Sequence, residues 1–148
     1  MTSGRFFPWG IEAVRRGGVP AIALFTIHVI ASQGFDAYLH FPSLDIPMHF
    51  FGGFVIAYFF HRASIAASSH GIFGPFHRVT HTVLVFALRV FWEFAEFMGD
   101  RFFGLHSQLG LDDTLGDMLL GICGGVLLLL LSFFYPPLRK SNSTGASA

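Results

Sequence analysis

The sequence predicts an all-α integral membrane protein: a four-helix bundle with both termini cytoplasmic, preceded by a short helix lying in the headgroup layer. Three observations predict it. Of 148 residues, 53% are apolar and 12% charged, with 20 phenylalanines, a balance far from that of a soluble domain. Four apolar segments approach the roughly 20 residues that a spanning helix needs. Lysine and arginine also fall almost wholly on one side of the topology those segments define.

The elements follow in order. Phe6 to Arg16 mixes Phe, Trp and Arg, which suits an interfacial helix, so residues 1–18 are expected to form an N-terminal interfacial segment. The transmembrane domain is expected over 19–137, with spans near 19–35, 46–61, 79–99 and 113–135. The second is the shortest, with room to begin before Asp45. Pro20 and Pro47 suit first turns, and Pro136-Pro137 stops the last helix. Residues 138–148 have the composition of a disordered tail. Arg15-Arg16 and the small residues near Ala31 also suit a signal peptide, but the apolar part exceeds the usual core of roughly 7–15 residues, so a retained span is expected. Cys123 lies alone in an apolar run, which leaves no disulfide framework and no cysteine-based metal site. With zero net charge and no basic tract in a folded region, nucleic acid is not an expected partner.

Arg5, Arg15, Arg16, Arg62, Arg78, Arg139 and Lys140 fall on one side and Arg101 alone on the other, so the termini and the 62–78 loop are expected to face the cytoplasm. Of the nine acids, all but Glu12 then lie in the outer half of the membrane or just beyond it. Helical spacing aligns them. Arg89, Glu93, Glu96 and Asp100 share one stripe of the third span; Asp45 and His49 open the second; Asp113 and Asp117 open the fourth; His28, Ser32 and Asp36 line the first. A lipid-facing charge costs several kcal/mol, so these stripes should face one another. Ionised, Asp45, Glu93, Glu96, Asp100, Asp113 and Asp117 total −6, against +2 from Arg89 and Arg101. Divalent cations, protons or a cationic ligand must make up the difference.

Simpler roles account for some of these groups. Asp45, Asp112 and Asp113 can cap helices, and Glu93 can pair with Arg89 one turn away. Asp100, at a helix C-terminus, needs a partner such as Arg101 or a cation. His61, His70, His77 and His81 read as interfacial or loop residues, with a second metal site at His77 and His81 as the sharper alternative. Trp9, Tyr38, Tyr58 and Tyr135 suit the aromatic belts, and Gly121 and Gly125 form a small-xxx-small pattern for close helix packing.

The order DIPMHFFGG, WEFAEF, DDTLGDMLLGICGG resembles the YjdF-like small bacterial membrane proteins and, more distantly, the VanZ-like proteins, over roughly residues 45–126. Asp45, His49, Glu93 and Asp113 match the VanZ-like pattern. Glu96 and Asp117 stand where those proteins carry Gln and Asn, which makes this site more acidic and fits the YjdF-like branch better. The resemblance implies a multi-pass protein of the bacterial inner membrane.

The leading functional expectation is an outer-leaflet site for a divalent metal (Mg, Mn or Zn), with His49, Asp45, Glu93, Glu96, Asp113 and Asp117 as candidate ligands. Glu93 or Glu96 would serve as general base, with Arg89 orienting a carboxylate or meeting an anionic group. Such a site would support hydrolysis or group transfer on a lipid-linked or amphipathic envelope molecule, with membrane lipid as its surroundings. The alternatives are a proton- or cation-coupled transporter and a non-catalytic protein that binds an envelope ligand or clasps its own helices.

Overall fold

The computed structural model describes residues 6–69 and 77–134, and among these it is helical with no strands. A first helical path comprises α1 (Phe6–Ala13), a π-helical turn at Val14–Gly18, α2 (Val19–Val29) and a second π-helical turn at Ile30–Gly34. The short α3 (Ala37–His40) and a 3₁₀ turn (Pro42–Leu44) lead into α4 (Asp45–Ser69), α5 (His77–Phe103) and α6 (Leu111–Phe134). Pro136-Pro137, Tyr135, the 138–148 tail, Arg5 and His70 lie outside the described residues, as does the side chain of His77.

Among the described residues, three stretches are long and apolar enough to cross a membrane: Trp9–Gly34, Pro42–Ser68 and Leu111–Phe134. The third of the four expected spans differs from these in composition, not in length. At 27 residues α5 reaches about 40 Å, but Arg89, Glu93, Glu96 and Asp100 lower its hydropathy. Across 18/19 the helical path is continuous, Gly17 and Gly18 carrying it onward through a π-helical turn. A Cβ at Gly17 would press on the Phe59 backbone and the Arg62 side chain, so glycine lets this turn lie directly on α4. The second span is not the shortest. Its helix runs eight residues past His61 through RASIAASS, whose small residues pack inward at Ala63, Ala66 and Ala67.

α4 is the axis of the bundle, contacting α1, α2, α5 and, most extensively, α6. Its core is narrow. Ala57, Val85 and Leu128 are buried, with Phe54, Ile56, Tyr58 and Phe60 around them, while Phe25, Phe91, Phe94, Phe97 and Phe133 remain exposed. Such a distribution suits a chain whose solvent is hydrocarbon, where helix association comes from close packing and not from removing apolar surface from water. Glycine makes that packing possible. A Cβ at Gly53 would overlap the Gly121 carbonyl, and one at Gly124 would overlap the Phe50 carbonyl, so α4 and α6 meet backbone to backbone. The expected Gly121/Gly125 pattern is thus half of a two-sided face.

Away from the acidic end, the Trp9 indole donates to the Ala63 carbonyl at 2.9 Å. His81 is not a loop residue: it is buried on α5, hydrogen-bonded to Ser64 of α4 and stacked on Phe60.

Gly53→Val should lower stability in detergent by about 1–3 kcal/mol or more, since neither backbone can yield without separating the helices. Gly116→Ala, where an added Cβ meets nothing within 4 Å, should be neutral or stabilising by up to about 1 kcal/mol. Thermal unfolding of the two variants beside the wild type checks the contrast.

Candidate metal centre

The ends of α2, α4, α5 and α6 that meet near the α3 turn bring the polar stripes together. Asp45 and His49 lie one turn apart at the start of α4, Arg89 and Glu93 one turn apart on α5, and Asp117 on the second turn of α6. His49, Arg89, Glu93 and Asp117 are all buried, with Arg89 only 2% exposed. Asp45 is half-buried at the rim.

Arg89 is the hub. Its Nη2, with two hydrogens shared among three acceptors, lies 2.6 Å from His49 Nδ1, 2.8 Å from Glu93 Oε1 and 3.0 Å from the main-chain carbonyl of Asp117, joining α4, α5 and α6. A Cβ at Gly121 would overlap the Nε and Cδ of Arg89, so the glycine leaves the lane by which the guanidinium reaches α6. Sequence reasoning assigned Gly121 to packing alone and missed this second duty. The spacing signal existed: Gly121 lies one turn beyond Asp117 on the same face.

Because a guanidinium has no acceptor, the 2.6 Å contact makes His49 Nδ1 the acceptor and places the ring proton on Nε2. Nε2–H then donates to Asp45 Oδ1 at 3.1 Å, with Asp117 Oδ2 at 3.7 Å beside it. One donor atom from each of Asp45, His49 and Asp117 falls within 4.8 Å of the others, a group that could hold a metal ion. The donor set fits. Two carboxylates and an imidazole suit Mn²⁺ or Zn²⁺ and tolerate Mg²⁺. Among the described residues Glu93 Oε2 is buried without a hydrogen-bond partner, a carboxylate oxygen left with capacity to spare. A metal held through Nε2 would require the ring proton on Nδ1, so Arg89 would have to release its contact there, leaving Glu93 Oε1, now at 3.7 Å, as the carboxylate beside that nitrogen.

The other expected ligands stand apart from this trio. Glu93 is committed to Arg89, as the simpler reading had it. Glu96 is half-buried, engages Trp92, and lies within electrostatic reach of His49, Glu93 and Asp45. Asp113 accepts the Leu109 amide at 3.0 Å and serves the turn before α6. Asp100 has a partner other than Arg101: its two oxygens accept the Ser107 and Gln108 amides at 2.8 and 2.9 Å. Gln108, which the sequence reading passed over, donates from Nε2 to the Glu93 carbonyl at 3.0 Å and ties the loop to α5.

An aromatic wall closes the α2 side. His28 Nδ1 and the Tyr38 hydroxyl share a hydrogen bond of 2.9 Å, and Trp92 meets the rings of His28 and Phe25 edge-on. Tyr38, expected in an aromatic belt, therefore belongs to the polar cluster. Burial, and then the charges of Asp45 and Glu96, push its phenol up to about 12, so it remains a neutral hydroxyl through the physiological range. A near-ultraviolet difference titration of wild type against Tyr38→Phe should place that ionisation close to pH 12.

Arg89→Met would leave the buried Glu93 carboxylate uncompensated, and a loss of about 3–5 kcal/mol is expected in detergent unfolding experiments. The double variant Arg89→Met/Glu93→Leu should recover most of that loss, because it removes both charges together.

The family model described as predicted membrane protein (DUF2238) matches residues 19–137. A protein of Thermotoga maritima described only as uncharacterized is 31% identical over 134 residues, covering 82% of this chain and 67% of that one. No solved structure matches. The chain belongs to the DUF2238 family of predicted membrane proteins.

Proposed function

We propose that this protein is a membrane-embedded metal-dependent enzyme of the bacterial inner membrane, with Asp45, His49 and Asp117 holding one divalent ion and an amphipathic or lipid-linked envelope molecule as substrate. The observation that carries the reading is the convergence of those three donors at a buried junction of α4 and α6. A bound divalent ion would polarise a phosphoryl or carbonyl oxygen and lower the pKa of a water molecule. The chain's own groups do the rest. Glu93 orients the His49 ring, Glu96 at the half-buried margin accepts a proton from the attacking water, and Arg89 keeps Glu93 in place.

In this reading α5 crosses the bilayer beside the three apolar helices, its charged stripe turned toward α4 and α6, which completes a four-helix bundle. The arginine distribution supports cytoplasmic termini and a site beneath the extracytoplasmic surface. Family membership fits the YjdF-like resemblance, and the likeness to VanZ-like proteins rests on the residue pattern alone.

A second reading draws on Arg89, whose three contacts on three helices would serve a purely structural clasp equally well. Metal binding separates the two. Purified protein titrated with Zn²⁺, Mn²⁺ and Mg²⁺ should take up about one equivalent of its preferred ion by elemental analysis and calorimetry. His49→Ala and Asp117→Asn should lose it, and Glu93→Gln should bind about 10–100-fold more weakly. A wild type that binds none of the three ions leaves the clasp.

A further inference from the structure

An apolar cleft of about 200 Å³ lies between α2 and the start of α4, lined by Leu24, Ile27, Ala31, Met48 and Phe51, with Tyr38 at its end. It is smaller than the roughly 300–1,000 Å³ that enclose compact ligands, and it suits a segment of one flexible chain. Ile27 and Phe51 are themselves about half exposed, so the cleft opens sideways onto the surface that the apolar helices turn toward lipid. Leu44, at the end of the 3₁₀ turn, and Pro47, Met48 and Phe51 of α4 bring the cleft next to the stripe of Asp45 and His49. Tyr38 belongs to both: it lines the cleft, shares a hydrogen bond with His28, and feels the charges of Asp45 and Glu96.

The polar end of this path is rich in carboxyl groups set against a single guanidinium. Ionised, Asp45, Glu93, Glu96 and Asp117 total −4 against +1 from Arg89, leaving −3, and a divalent ion at the trio would still leave −1. The unpartnered, buried Glu93 Oε2 belongs to the same end, and Trp92 and Tyr38 add aromatic rings beside Glu96 and Asp45. Carboxylates with aromatic rings are the surroundings that favour an organic ammonium group. For an anionic head this end offers only the Arg89 guanidinium, which is buried and already paired with Glu93.

We propose that the cleft seats one hydrocarbon chain of an ammonium-bearing amphiphile whose head group lies against Tyr38, Trp92, Asp45 and Glu96. This rests on the reading of the site as acting on an amphipathic molecule, and it names the chemical class of that molecule. The chain enters laterally from the bilayer between α2 and α4, and the head reaches the margin of the metal-binding trio from the α3 side.

The test uses full-length protein in nanodiscs, with phosphatidylethanolamine and phosphatidylglycerol probes carrying the same diazirine-labelled acyl chain. Crosslinks from the ethanolamine lipid should concentrate on Leu24, Ile27, Met48 and Phe51 and exceed those from the glycerol lipid by about fivefold. Ala31→Phe should abolish that enrichment while leaving metal uptake unchanged, and Glu96→Gln should erase the head-group preference while keeping chain crosslinks in the cleft. Crosslinks spread evenly over Phe91, Phe94 and Phe97, or equal labelling by the two lipids, would overturn the proposal. Metal uptake measured on the same preparations keeps its failure distinct from failure of the metal reading: cleft labelling in a protein that binds no metal would sink the enzyme and leave the lipid site standing.

Discussion

A guanidinium buried between three helices of an apolar bundle is the constraint on which the rest of this structure depends. Arg89 cannot deprotonate to escape its surroundings, so every neighbour must be an acceptor or stand aside. Glu93 supplies a carboxylate, His49 a ring lone pair and Asp117 a main-chain oxygen. The tautomer of His49, and with it the hydrogen bond to Asp45, follows from this one contact. A change in how Arg89 is held would therefore be felt at the outermost carboxylate of the site without any movement of helix α4.

The fold makes room for this polar knot by keeping almost everything else small. Glycine and alanine occupy the surfaces where α4 meets its neighbours, and the bulky aromatic side chains point outward. In water such an arrangement would waste apolar surface; in hydrocarbon it costs little, and close backbone approach supplies the dispersion contacts that hold helices together. The loop before α6 is held with similar economy of groups. Asp100 and Asp113 accept loop amides, Gln108 reaches back to α5, and Gly104 and Gly110 take the positive φ angles that bulkier residues resist. These contacts set the height at which Asp117 enters the bundle.

Much of this could be read from residue spacing. The i, i+4 pairs Asp45/His49 and Arg89/Glu93 and the position of Asp117 placed the polar stripes at one end, because intramembrane charges leave few alternatives to facing one another. The extent of the helices was less legible: the small-residue run after His61 looks like a loop by hydropathy, yet it is good helix-forming sequence once α1 covers it. Roles within the acidic set were least legible. Asp100, Asp113 and Asp117 are one residue type in similar registers, and only the path of the intervening loop decides that the first two accept amides while the third faces His49. Gln108 and the polar contact of Tyr38 were illegible for the same reason, since both arise from chain reversals that periodicity does not describe.

The Asp117 acceptor for Arg89 is a main-chain oxygen, and no exchange of side chain at position 117 can delete it. Its availability is written elsewhere, in the hydrogen that stands for a side chain at Gly121. Mutational scanning would therefore register the guanidinium's third anchor as intolerance of bulk at a glycine, one turn from where the bond is made. Read by residue chemistry alone, that signal would pass for helix packing, and the polar contact beneath it would go uncounted.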